Sequence, residues 1–168
     1  MSELVKIEAS LERLEGYLEG KDFAGYDPFD ALNSPLLEKL SFGHKFPKVL
    51  FTQIMRRLPV NIRPWIGTRV GQNPKGLGLF LSGYATRYRQ TKDPARLAVM
   101  RYLAGRLGEM KCPGYHCDCW GYNFVWQNTR FLFKQGTPTI VNTSFIANAL
   151  LGLDELEPAP RYLESARS

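Results

Sequence analysis

Cysteine and histidine are scarce in this chain, and most of what there is lies crowded in one place. Cys112, Cys117 and Cys119 fall within eight positions of one another, His116 stands among them, and His44 is the other histidine. An odd, clustered set of thiols is no disulfide framework and fits a reducing compartment. No run approaches the roughly eighteen uncharged apolar residues that a membrane helix needs. The opening Met1 to Lys6 has neither the basic start nor the apolar stretch of a signal peptide. The G-x-x-x-x-G-K-[ST] phosphate loop is missing, as is any recognised nucleic-acid motif. These absences exclude a P-loop nucleotide enzyme and leave a cytoplasmic protein, with no membrane or nucleic-acid partner, as the expectation.

What remains is an ordinary globular composition. With 168 residues, 44% hydrophobic and 23% charged, the chain can bury a real core as one domain spanning 1–168. The net charge of +6 turns the expected partners toward anions, although solvated surface charge explains such an excess more often.

Apolar residues recur at helical spacing along most of the length. Leu4, Ile7, Leu11, Leu14 and Leu18 form one stripe, closed by Gly20. Ser34 and Pro35 read as cap and first residue of a short helix that Gly43 ends. Phe46, Leu50, Ile54 and Leu58 predict a further helix with that stripe inside and Lys48, Arg56 and Arg57 outside, stopped by Pro59 and Pro64. Pro74 opens a charge-poor segment, to about Tyr88, expected to be packed on both sides. Asp93 and Pro94 open an Arg-bearing one, to Gly108, with a wet face. Lys111 to Gly136 reads mostly as loop, with room for a short helix over Asn123 to Phe133. Thr137 and Pro138 read as cap and first residue of an inner helix stopped by Gly152, and a last helix starts near Pro160. No alternating strand competes, so the fold class is all-α: helical hairpins in two layers, charge-poor helices inside and Arg-bearing helices outside.

Four segments carry the unusual residues: Gly25 to Ser34 (GYDPFDALNS), Arg69 to Gly78 (RVGQNPKGLG), Cys119 to Arg130 (CWGYNFVWQNTR) and Thr137 to Phe145 (TPTIVNTSF). If the inner helices run parallel, these segments converge on one rim. In this order they resemble an uncharacterised bacterial and archaeal family whose genes often lie among surface-polysaccharide genes. The resemblance covers nearly the whole chain from Gly25 onward and is most specific over Cys119 to Arg130. It implies an α/α toroid like that of six-hairpin glycosidases and terpenoid cyclases. Some members carry the label delta-aminolevulinate dehydratase, but that enzyme is a β/α barrel built on active-site lysines, and nothing in this sequence reads as that. A full ring needs roughly twelve helices and on the order of 300 residues, whereas about seven helical segments are legible here. The expectation is therefore the N-terminal half of a larger toroid, or a homo-oligomer formed through the C-terminal helices.

The candidate chemistry lies in the same segments. Trp120, Tyr122, Phe124, Trp126 and Phe131 stand beside Asn123, Gln127, Asn128 and Arg130. Aromatic faces stack on sugar C–H groups while amides and guanidinium satisfy hydroxyls and carboxylates, so the mixture suits a carbohydrate groove. The same residues also suit a hydrophobic plug with capped loop backbone. Asp27 and Asp30 flank Pro28 and offer the two carboxylates of glycosidic acid–base chemistry, or else turn and cap duties. Arg69, Asn73 and Asn142 are further substrate-binding candidates, and Lys75 beside Arg69 and Asn73 suggests an anion. Ligands one residue apart, as in Cys117 and Cys119, rarely converge on one tetrahedral ion, so neither zinc nor any other cofactor is expected. The functional expectation is a carbohydrate-binding or carbohydrate-processing protein of surface-polysaccharide biosynthesis, its ligand an anionic or neutral saccharide. The alternative is a non-catalytic helical scaffold for protein interaction.

Overall fold

The computed structural model describes residues 3–127 and 130–168; Asn128, named among the candidates above, lies outside the described residues. Among the described residues seven α-helices dominate: α1 (Glu3–Gly20), α2 (Pro35–Leu40), α3 (Lys45–Arg57), α4 (Pro74–Thr91), α5 (Pro94–Glu109), α6 (Ile140–Asp154) and α7 (Pro160–Arg167). A short 3-10 helix, Asp30–Asn33, precedes α2. The starts follow the caps. Ser34, Asn73 and Asp93 each accept a backbone N–H through the side chain, and proline opens the first turn behind each of them. No helix among the described residues is long and apolar enough to cross a membrane.

Helices α4, α5 and α6 build the centre. Leu77, Leu81 and Tyr84 of α4 meet Met100, Leu103 and Leu107 of α5 and Ile146, Leu150 and Leu153 of α6 in one buried cluster, which Tyr162 of α7 closes. A two-residue turn makes α4 and α5 an antiparallel hairpin. By contrast, α4 and α6 run parallel. Lys75 meets Phe145 near both N-termini, and Arg89 reaches Gly152 O and Glu155 near both C-termini. The two helices approach closely because a side chain on Gly78 would begin only 3.0 Å from Ile146 Cγ1.

Several expectations are corrected. The α3 stripe is turned outward: Phe46, Leu50, Ile54 and Leu58 are exposed, while Lys48, Thr52 and Met55 form the buried face. Lys48 can be buried because its ammonium pairs with Glu38 at 2.8 Å. In α1, Leu4, Ile7 and Leu14 are likewise exposed, and no residue of the helix is buried. Its acidic face holds it instead. Arg87 takes Glu8 at 2.6 Å and Glu15 at 3.1 Å, Arg96 takes Glu15 at 2.9 Å, and the Tyr84 hydroxyl donates to Glu19 at 2.7 Å. The small-residue face of α4 is packed only at Gly78; Ser82, Gly83 and Thr86 are exposed. The described residues of the expected 123–133 helix form none; β1 (Trp126–Gln127) and β2 (Leu132–Phe133) run antiparallel there, pairing Trp126 with Phe133. Helix α6 starts two residues later than expected, because Thr139 rather than Thr137 accepts the Asn142 N–H, and it runs through Gly152 to Asp154. Of its apolar residues Leu150 is buried, whereas Phe145 and Leu151 are exposed.

Candidate functional site

Backbone pairing draws the four unusual segments together. Gly25 and Gly71 exchange two hydrogen bonds, at 3.1 and 3.0 Å, joining the first segment to the second. Asn33 joins the first to the third, donating through Nδ2 to Asn123 O and accepting Val125 N–H at Oδ1, each at 3.3 Å. Gly121 bridges to Pro138, and Thr139 N–H donates to Trp120 O at 3.0 Å, joining the third to the fourth.

Asp27 lies where these links meet. Its Oδ1 accepts Phe29 N–H at 2.9 Å in a local turn, and its Oδ2 accepts the Asn73 amide at 3.0 Å. Asn73 can donate there because its own Oδ1 is occupied in capping α4, where it accepts Lys75 N–H at 3.1 Å. Asp30 is nearly buried. It accepts Arg63 Nε at 2.7 Å through Oδ1 and Asp27 N–H at 3.1 Å through Oδ2, while Arg63 also donates to Asp27 O at 3.1 Å. Both aspartates therefore have turn duties, and Asp30 is committed to an ion pair as well.

Burial pushes the Asp30 carboxyl above its usual value of 3.8, against the opposing pull of Arg63. The folded chain thus holds this proton more tightly than the unfolded chain. The stability it contributes is complete below 3.8 and is lost as pH rises through the raised folded value. Comparing melting temperatures of the wild type and Asp30→Asn across the acid range isolates this group. The wild type's advantage over the variant should shrink as pH climbs from 3.8, and a difference that stays flat or grows would contradict the assignment.

Two clefts share Asp27, Asn73 and Phe124. One, of about 400 Å³, also borders Asp30, Asn33, Arg69 and Asn123; the other, of about 210 Å³, borders Phe29, Lys75, Tyr122 and Trp126. The aromatic side is ordered by its own ring contacts. Tyr122 stacks on Phe124 at 5.0 Å and Trp126 on Phe133 at 5.3 Å, while Phe29 meets Trp126 edge-on at 6.2 Å. Burial, then the nearby Asp27 carboxylate, raises the Tyr122 hydroxyl above its ordinary value and keeps it a donor.

Of the residues expected to form the site, Asp27, Asp30, Arg69, Asn73, Tyr122, Asn123 and Trp126 line these clefts. Four others do not. Trp120 is fully buried, with its indole N–H donating to Leu107 O at 2.7 Å, so it is core rather than platform. Asn142 is also fully buried, in the first turn of α6, with neither amide atom hydrogen-bonded. Gln127 is buried in β1 and donates to Phe131 O at 3.0 Å. Arg130 is exposed and borders neither cleft. Sequence reasoning missed Asn33, Phe29 and Arg63. Asn33 sits one position before a helix cap and Arg63 between prolines, settings in which polar residues are routine.

The thiol cluster lies outside both clefts. Cys112 N–H donates to Cys119 O at 2.9 Å, Lys111 pairs with Asp118, and among the described residues no three His, Cys, Asp or Glu side chains are grouped to hold a metal. Cys112 and Cys119 are buried and Cys117 is exposed. Burial raises the Cys112 thiol and pushes Cys119 up to about 11. The thiolate is the reactive form, so alkylation at neutral pH should label one cysteine quickly and the other two only on denaturation. Mass spectrometry showing Cys112 or Cys119 labelled as fast as Cys117 would contradict this. No protein-family model, curated protein or solved structure matches the chain.

Proposed function

We propose that the chain binds or processes a carbohydrate in surface-polysaccharide biosynthesis, with the paired clefts at Asp27 as the sugar site. The observation that carries the reading is the composition of the smaller cleft, where Asp27, Asn73 and Lys75 share the lining with Tyr122 and Trp126. Aromatic faces supply apolar contact for sugar C–H groups, and the convergent polar groups supply orientation. Resemblance to the polysaccharide-cluster family supports the same reading. Parallel α4 and α6, with α5 folded back on α4, support a toroid-like arrangement of hairpins in which the site lies at the N-terminal rim of the inner helices. In an enzyme of this kind Asp27 would be the acid or base, because Asp30 is already tied to Arg63.

Intrinsic fluorescence titration with a saccharide panel, repeated on Trp126→Ala, tests the proposal. Half-buried Trp126 should lose about tenfold in affinity with little change in melting temperature. Asp27→Asn should abolish any turnover while binding survives. A panel without response would favour the second reading, a non-catalytic scaffold, for which the exposed apolar stripes of α1 and α3 are the supporting observation.

A further inference from the structure

We infer that the ligand is an acidic oligosaccharide of at least two sugar units, lying across Asp27 with its anionic group toward Arg69 and Lys21; this rests on the saccharide reading above. The first ground is the way the clefts adjoin. Asp27 and Asn73, hydrogen-bonded at 3.0 Å, belong to the lining of both, so they form a shared wall rather than the end of a pocket. A ligand filling both sides passes over the carboxylate, which places a linkage between units at an acidic group that has no ion-pair partner among the described residues.

The second ground is that the two sides differ in chemistry. The smaller is walled by Phe29, Tyr122 and Trp126, which suit the apolar face of a sugar. The larger has rings of its own, Tyr17, Phe23, Tyr26 and Phe80, and differs in adding Lys21, Asn33, Arg69 and Asn123, which suit hydroxyls and a carboxylate.

The third ground is charge. Asp30 is compensated by Arg63 at 2.7 Å, so Asp27 is the remaining carboxylate in clefts that Lys21, Arg69 and Lys75 also line. Lys21 and Arg69 form no ion pair among the described residues, whereas Arg87, Arg96, Arg101 and Arg106 of the helical core are all paired with glutamates. An excess of positive charge beside hydrogen-bonding amides favours an anion, and a guanidinium meets a carboxylate with two parallel donors.

Calorimetric titration of the full chain with cellobiouronic acid, cellobiose and glucuronate tests each element. The acidic disaccharide should bind about tenfold more tightly than either of the others, the preference should weaken with added salt, and Arg69→Ala should reduce it to the cellobiose level. Exposed Arg69 makes no hydrogen bond among the described residues, so the variant's melting temperature should not move. Equal affinity for cellobiouronic acid and cellobiose would overturn the anionic assignment while leaving the saccharide reading intact. Glucuronate binding as tightly as the acidic disaccharide would overturn the two-unit assignment, and a preference unchanged in Arg69→Ala would overturn the placement of the acid. Binding of none of the three probes would overturn the saccharide reading and this inference with it.

Discussion

Trp120→Ala is expected to lower the unfolding free energy by about 3–5 kcal/mol, the range for truncating a large buried aromatic. Three sets of contacts meet at this residue, two through the side chain and one through the backbone. The ring is fully buried among the α4, α5 and α6 core residues. Its indole N–H donates to Leu107 O at 2.7 Å, in the last turn of α5, an oxygen that also accepts the Met110 N–H at 3.2 Å. Its backbone N–H donates to Thr143 Oγ1 at 3.1 Å and its carbonyl accepts Thr139 N–H at 3.0 Å, fastening the loop to the start of α6. Alanine keeps the backbone bonds but leaves a cavity and withdraws the indole donor. Trp120→Phe should fall between the two, because it restores most of the volume and none of the hydrogen bond. Denaturant melts of both variants check the order. A loss below about 1 kcal/mol for Trp120→Ala would mean that the ring is not part of the folded core.

The contrast between Trp120 and Trp126 marks where sequence stops being informative. Both stand in one aromatic run, flanked by glycine, asparagine and glutamine, and nothing in residue type says which ring faces inward. Trp120 follows a buried cysteine and is followed by a glycine pressed against the 136–138 turn, whereas Trp126 lies in a two-residue strand on the outside. Only the tertiary path of the loop separates them. Helix existence is legible because caps and prolines act locally: Ser34, Asn73 and Asp93 are readable from their neighbours. Helix orientation is not. The α3 stripe has the period of a buried face, yet the helix turns Lys48 and Thr52 inward, because Glu38 of α2 offers the ammonium a partner there. In α1 the acidic positions have the pattern of a solvent face, but Glu8 and Glu15 are the attachment, since Arg87 and Arg96 wait on α4 and α5. In both cases a charge pair distant in sequence decides which face turns inward, and periodicity does not register it. The convergence of the four site segments is legible only conditionally, through the direction of α4 and α6, which the Lys75–Phe145 and Arg89–Glu155 contacts fix.

Gly121→Ala is expected to cost about 2–4 kcal/mol and to disturb the site as well as the fold. A Cβ at this position would stand 2.2 Å from Thr137 O, 2.7 Å from Thr137 C and 2.8 Å from Gly136 C. All three are backbone atoms, so no side-chain rotation can relieve the overlap. Either the 119–124 loop or the 136–138 turn must move away. That movement strains Gly136 N–H to Tyr122 O, at 2.9 Å, and Thr139 N–H to Trp120 O, at 3.0 Å. Overpacking of about 1–3 kcal/mol and about 1 kcal/mol in all from the two weakened backbone bonds make up the expected loss. Because Tyr122 belongs to the aromatic side of the cleft, the fraction that still folds should also bind saccharide less tightly. A control in the same protein has the opposite sign. Gly105 lies exposed within α5, and a Cβ added there would meet nothing within 4 Å, so Gly105→Ala should stabilise by about 0.5–1 kcal/mol through helix propensity alone. Thermal melts of the two variants, together with saccharide titration at a temperature where both are folded, separate the effects. Equal and small shifts for both glycines would show that the 119–124 loop is free to yield and that Gly121 does not hold Tyr122 in place.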